Sequence, residues 1–412
     1  MPGKTIIVLG TMDTKGREMT FVKGEIERHG QKALLIDTGV VGEPNGAADV
    51  TREQVAEAGG TPLAELLKNP TREVAAPLMA KGALKLVGEL VETGRADGIV
   101  SMGGTQGTTL ATSVMRQLPY GFPKVMVSTM ASGDVSNFVD IKDITMMFPV
   151  TDIMGLNTVS RKILSNAAGA VCGMADSEVT MATSGRALVG VTTVGITTQG
   201  AMKAIEVLEA AGYETIVFHA VGTGGRAMEA LMKEGVIKAV LDITPIEVTN
   251  HMHKALLDGG PERLSVAARL GLPQVLCPGA VAILVYGPPD SIPPPYRGRK
   301  YIPHSPLITD VRLTRDEQVA VAREIARRLQ GASGPITFMI PRKGFDSYSA
   351  EGEGFWDPEA DAAFVETLKA ELPANVRVVE RDLDVNDPAF AAEMADNLIE
   401  LMRRTGVATA TR

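Results

Sequence analysis

The chain is punctuated by short, almost uninterrupted apolar runs. Each ends in a turn rich in glycine and hydroxyl residues that opens a segment of helical period, and this alternation restricts the fold more than any other feature. Thr5 to Leu9 is the first run; the polar turn Gly10 to Gly16 and a helical pattern to His29 follow, and Ala33 to Ile36 is the second run. Apolar runs without polar interruption suit strands covered on both faces, and a helix between two of them makes a βαβ unit. Gly98 to Met102, Lys124 to Thr129 and Ile144 to Phe148 continue the series. Between Gly42 and Gly94 there is more chain than one crossover helix needs, with Pro44, Pro62, Pro70 and Pro77 inside it, which predicts a helical insertion around 43–94. A helix around Thr158 to Ala170 closes this first domain.

Near Ala187 the pattern starts again, with a strand through Val191, a Thr/Gly turn from Thr192 to Gly200, a helix to Ala211 and a strand from Thr215 to Phe218. Gly30, Leu34, Ile36 and Asp37 correspond at one offset to Gly212, Ile216, Phe218 and His219, which reads as a diverged internal repeat. Strands at Lys238 to Leu241, Pro273 to Cys277, Ile336 to Ile340 and Val376 to Val379 follow, with helices at Arg315 to Leu329, Pro358 to Leu372 and Pro388 to Met402. The expected fold class is α/β: two Rossmann-like doubly wound domains, residues 1–185 and 186–412, with mostly parallel sheets and a cleft between them. The stretch 287–306, with five prolines between Pro288 and Pro295, is too stiff for a helix and predicts an ordered arm or lid.

Composition narrows the function classes. A length of 412 residues with 45% apolar content supports two cores, and a net charge of −8 gives no electrostatic footprint for nucleic acid or anionic lipid. The two cysteines, Cys172 and Cys277, lack metal or redox spacing and read as buried thiols. No apolar run reaches membrane length and no signal peptide is apparent, so a cytoplasmic protein is expected.

In open parallel sheets ligands bind beyond the carboxyl ends of the strands, where helix N-termini attract anions. The turn after the first strand offers Thr11, Asp13, Lys15 and Gly16; the turn after the third offers Gly103, Gly104, Thr105, Gly107 and Thr108, suited to wrapping phosphate oxygens with backbone N–H groups. The next strand ends in Ser132, Gly133 and Asp134, where Asp134, with Asp13 as alternate, is a candidate for a Mg2+ shell and Lys15 for a phosphate. Asp37 ends the second strand, where dinucleotide folds place the acid that binds ribose hydroxyls. In the second domain Gly222, Thr223, Gly224 and Gly225 form a comparable loop directly after His219. Each feature also has an ordinary structural reading, as a helix cap or a tight turn.

Taken together, Gly10-Thr11-x-Asp13-Thr14-Lys15-Gly16, Gly103-Gly104-Thr105-x-Gly107-Thr108, Ser128-Thr129-x-Ala131-Ser132-Gly133-Asp134, Asn166-Ala167-Ala168 and His219-Ala220-x-Gly222-Thr223-Gly224-Gly225-Arg226 resemble the Tm-one-like ATP-binding family. The resemblance implies a two-domain Rossmann-like protein that binds ATP near the domain cleft and is commonly dimeric.

His219 is a candidate general acid or base, since histidine titrates near neutral pH. Arg297 and His304, with Arg299 and Lys300, follow the proline arm as candidates to clamp a carboxylate or phosphate. His251 and His253 are one residue apart, a spacing that suits a metal on a strand but not on a helix, with Glu247 and Asp242 nearby. Two function classes follow: an ATP-dependent enzyme acting on a small anionic metabolite at the interdomain cleft, or a protein whose binding is gated by a nucleotide without turnover.

Overall fold

A computed structural model describes residues 3–68, 71–179 and 186–407. The chain divides into two compact units, Met1–Met181 and Ala182–Arg412. The expected boundary at 185/186 and Pro70 of the insertion touch segments outside the described residues.

The first unit runs β1 (Thr5–Gly10), α1 (Met12–Arg28), β2 (Lys32–Asp37), α2 (Arg52–Gly59), α3 (Leu63–Leu66), α4 (Arg72–Glu92), β3 (Gly98–Gly103), α5 (Thr105–Met115), β4 (Lys124–Ser128), α6 (Ser136–Val139), β5 (Thr145–Met147) and α7 (Thr158–Ala175). Its five strands are parallel in the order β2-β1-β3-β4-β5. The central strands β3 and β4 are buried along their whole length, so both faces must be apolar, and one core forms on each face. The insertion is α2–α4, and the Thr51/Gln54 capping box fixes where α2 begins.

The second unit runs β6 (Leu188–Thr193), α8 (Thr198–Ala210), β7 (Glu214–His219), α9 (Thr223–Lys233), β8 (Ile237–Asp242), α10 (Ile246–His253), α11 (Ser265–Leu270), β9 (Gln274–Leu276), β10 (Ile283–Tyr286), β11 (Tyr301–Ser305), β12 (Ile308–Arg312), α12 (Arg315–Arg328), β13 (Ile336–Pro341), α13 (Pro358–Glu371), β14 (Val376–Arg381) and α14 (Pro388–Arg404). Read from the other edge, its main sheet has the order β7-β6-β8-β9-β13-β14, all parallel, so its first five positions repeat the strand order of the first unit. The repeat holds in register too. Lys32 bonds to the carbonyl of Lys4 and Glu214 to that of Ala187, so the second strands keep the sequence offset while the first strands differ by one residue.

Of the expected arm or lid, the proline stretch forms an ordered arm. It ends as β11, an edge strand of a small antiparallel sheet of order β10-β12-β11. Tyr296 of the arm packs on His253 and Tyr286, and Arg299 closes an ion pair with Glu317 at 2.6 Å, so the arm is anchored along its length.

Candidate functional site

In a sheet of order 2-1-3-4-5 the chain reverses its winding between strands 1 and 3, and the crevice outside their carboxyl ends is where such folds bind ligands. In the first unit that crevice is a cavity of about 620 Å³, reached by Gly10 to Lys15 after β1, by Ser101 to Gly107 at the end of β3, and by Thr38 to Val41 after β2. Its size falls in the usual range of small-molecule sites, about 300–1,000 Å³. The outer wall is apolar, from Ala75 and Met79 of α4 and Leu110 and Ala111 of α5.

The polar floor is built by the glycine loop. A Cβ on Gly103 would lie 3.0 Å from the Cα of Gly107, a tight backbone contact that glycine relieves where the loop folds back. Thr108 is buried, its hydroxyl bonded to the Gly104 carbonyl and to Ser128 Oγ, and it locks the loop to β4. Gly104 caps α5 without any side-chain hydrogen bond, so the N–H groups of Thr105, Gln106 and Gly107 lack a capping partner from that residue. The helix dipole adds positive potential at the same place.

Thr11, Asp13 and Lys15 line the cavity as well. One Asp13 oxygen accepts from the N–H groups of Val41 and Gly42, at 2.8 and 3.3 Å, and so ties down the loop after β2; the other, Oδ1, is buried without a partner among the described residues. Lys15 donates to the carbonyl of Ile153, and its charge stands at the cavity margin. Gly16 lies outside the lining; a Cβ there would meet the Asn45 carbonyl at 2.1 Å, so its role is close packing.

Two expected groups are used elsewhere. Asp37 is 1% exposed and outside the cavity lining; its carboxylate accepts from the N–H groups of Met12 and Gly39, both at 2.8 Å, and caps the start of α1. Burial raises its pKa, against the lowering effect of those bonds. Asp134 is exposed and holds the N–H of Ser136, which lowers its pKa. Ser132, Gly133 and Asp134 form the turn after β4 and do not line the cavity.

In the second unit the Gly222-Thr223-Gly224-Gly225 loop wraps an anion that belongs to the chain. Glu247 Oε1 accepts from Gly222 N at 2.6 Å and Gly225 N at 3.0 Å, and Oε2 accepts from Arg263 Nε at 2.6 Å. Arg263, fully buried, also grips Asp242 with both terminal nitrogens and lies 3.6 Å from Glu229. Burial works against its charge, but the pull of Asp242 and Glu247 outweighs this and raises its pKa. Burial pushes the Glu229 carboxyl up to about 7. A Cβ on Gly225 would lie 1.9 Å from Glu247 Oε2, and Gly222 adopts φ +90°, so both glycines serve this internal contact. Sequence reasoning missed Arg263 because it follows the turn-like Gly259-Gly260-Pro261, where an arginine reads as solvated.

The remaining basic and histidine candidates separate. His219 is exposed at the end of β7. Arg297 donates to the Ile292 carbonyl within its own arm, whereas His304 Nδ1 meets the Tyr348 hydroxyl at 2.9 Å and lies 3.8 Å from Asp310, whose pKa burial raises to about 6. Arg297 and His304 therefore turn to different partners among the described residues. His251 and His253 lie on helix α10 and turn to different partners, Asp258 and Tyr296, while Glu247 and Asp242 are taken by Arg263. Among the described residues no group of three His, Cys, Asp or Glu is arranged to hold a metal, and no helix is long and apolar enough to cross a membrane.

Residues 4–180 match the N-terminal domain, and residues 186–402 the C-terminal domain, of the uncharacterised protein family UPF0261. The chain belongs to the UPF0261 family. A UPF0261 protein of Clostridium tetani is 42% identical over 97% of this chain and 100% of its own length, and one of Rhizobium meliloti is 40% identical over 94% and 96%. The tomato (Solanum lycopersicum) ToMV resistance protein Tm-1(GCR237) is 37% identical over 74% of this chain and 41% of its own length, so the likeness to Tm-1 is a partial one within UPF0261 membership. Among solved structures, a UDP-N-acetylglucosamine 2-epimerase from Rickettsia bellii matches at 12% identity, covering 67% of this chain and 79% of that one, with a TM-score of 0.24.

Proposed function

We propose that the first domain of this UPF0261 protein binds a nucleotide of the ATP class, phosphates toward the start of α5 and base toward the apolar wall. The observation that carries this reading is the pairing, in one cavity at the strand-1/strand-3 switch point, of a helix N-terminus without a side-chain cap and an apolar wall formed by α4 and α5. Such a cavity suits a ligand with an anionic end and a flat apolar end. Lys15 adds a point charge for phosphate, and Asp13, which lines the same cavity, is the candidate for a magnesium-bound water.

The enzymatic form of this reading, ATP-dependent conversion of a small anionic metabolite, draws support from the His304–Tyr348 contact above buried Asp310, an arrangement able to hold and pass a proton. Calorimetric titration with ATP and Mg2+ tests the binding site. Replacing Gly104 and Gly107 together with valine should abolish binding while the fold is retained, and Asp13→Asn should weaken its magnesium dependence. Unchanged affinity in the folded double variant would place the nucleotide elsewhere.

A further inference from the structure

The two units repeat one another closely enough to compare their switch points residue by residue. Leu9 of β1 pairs with Ser101 of β3, and Thr192 of β6 pairs with Asp242 of β8. Helix α5 begins four residues after Ser101 and α10 begins four residues after Asp242. The alignment therefore sets Gly104 opposite Pro245, Gln106 opposite Glu247 and Gly107 opposite Val248.

Each exchange removes a feature that admits an anion in the first unit. Pro245 has no N–H to offer. Val248 is fully buried in an apolar core of the second unit, whereas Gly107 lines the cavity of the first. Asp242 and Glu247, both buried, would repel an incoming phosphate. The donors that Glu247 occupies, Gly222 N, Gly225 N and Arg263 Nε, belong to the loop after β7 and to Arg263; that loop is the counterpart of the loop after β2, whose Val41 and Gly42 N–H groups are held by Asp13.

We propose that the second domain closes its own switch point: Glu247, at the position of the cavity-lining Gln106, sends its carboxylate into the anion cradle formed by the loop after β7 and Arg263, so that each chain carries a single nucleotide site. The single-site stoichiometry rests on the nucleotide site proposed for the first domain; the role of Glu247 does not.

The test is Glu247→Ala in the full chain, with formate and acetate as probes and chloride at equal ionic strength as control. The wild-type melting temperature should be the same in all three salts. The variant should melt lower by on the order of 10 °C, since it leaves Arg263 short of a partner in the interior, and formate or acetate should restore it saturably by refilling the cradle. A folded variant that responds to formate no more than to chloride would overturn the proposal. If the alanine variant does not fold, Glu247→Gln keeps the shape and one acceptor; it should fold with a lowered melting temperature, and one as stable as wild type would equally refute a carboxylate anchor. Titration of wild-type protein with ATP should saturate at one per chain, and two per chain would refute the single-site claim. Absence of any nucleotide binding would instead sink the first-domain reading and leave the carboxylate rescue to decide the role of Glu247.

Discussion

Replacing Arg263 by methionine isolates what holds the centre of the second domain. Arg263 makes three of its contacts with Asp242 and Glu247 inside 3 Å and a fourth with Glu229 at 3.6 Å, all in the fully buried interior. Methionine keeps the unbranched apolar stem, ends short of the guanidinium and leaves these carboxylates without their cation. Breaking a buried pair from one side costs about 3–5 kcal/mol, which in a domain of this size corresponds to a fall in Tm of roughly 6–20 °C. The cost also acquires a pH dependence whose sign is fixed. Without Arg263 the Glu229 carboxyl, raised by burial to about 7, loses the cation that lowers it, so the folded state binds still more protons relative to the unfolded one. Its contribution is then fully present below the unfolded pKa and is lost as pH rises through the folded value. The deficit of Arg263→Met relative to wild type should therefore grow from about pH 5.5 to about pH 8. The chain has one tryptophan, Trp356, which lies half-buried in the second domain, so its fluorescence in urea reports on this unit. A loss below about 1 kcal/mol, or equal losses at the two pH values, would refute the argument that Arg263 neutralises an otherwise uncompensated acidic interior.

The wild-type protein should itself gain stability on mild acidification, because burial raises Glu229 to about 7 and Asp310 and Asp361 each to about 6. These contributions are present below the unfolded carboxylate range and lost as pH rises through 6–7. The second domain should accordingly be more stable at about pH 5.5 than at about pH 8, by on the order of 2–4 kcal/mol, and a flat urea midpoint across that interval would count against the assignment. In the first domain, Asp37→Ala should destabilise by about 2–4 kcal/mol, because two N–H groups lose their acceptor, whereas Asp37→Asn should leave ATP affinity unchanged; a selective loss of affinity in the folded asparagine variant would restore a ligand-binding role for Asp37.

The sequence by itself determined the architecture. Uninterrupted apolar runs such as Ile6 to Leu9 and Gly98 to Met102 can only be central strands covered on both faces, and the offset from Gly30 to Gly212 announced a second copy of the same unit. It also determined the first cavity's floor, because a glycine loop between a strand and a helix has a local geometry that does not depend on distant residues, and Gly103 to Thr108 behave accordingly. What only the tertiary structure decided is which polar groups remain available. Asp37 and Asp134 look like ligand residues in the sequence, yet each is taken up by backbone N–H groups nearby. Gly222 to Gly225 look like a phosphate loop, but the loop's donors close on Glu247, which stands some twenty residues further along and is brought to them by α10 and Arg263. A hydrogen-bond donor has the same sequence signature whether its acceptor is a ligand or a side chain of the same domain. Long-range packing decides between the two, because the low-dielectric interior requires every buried charge to find its partner within reach.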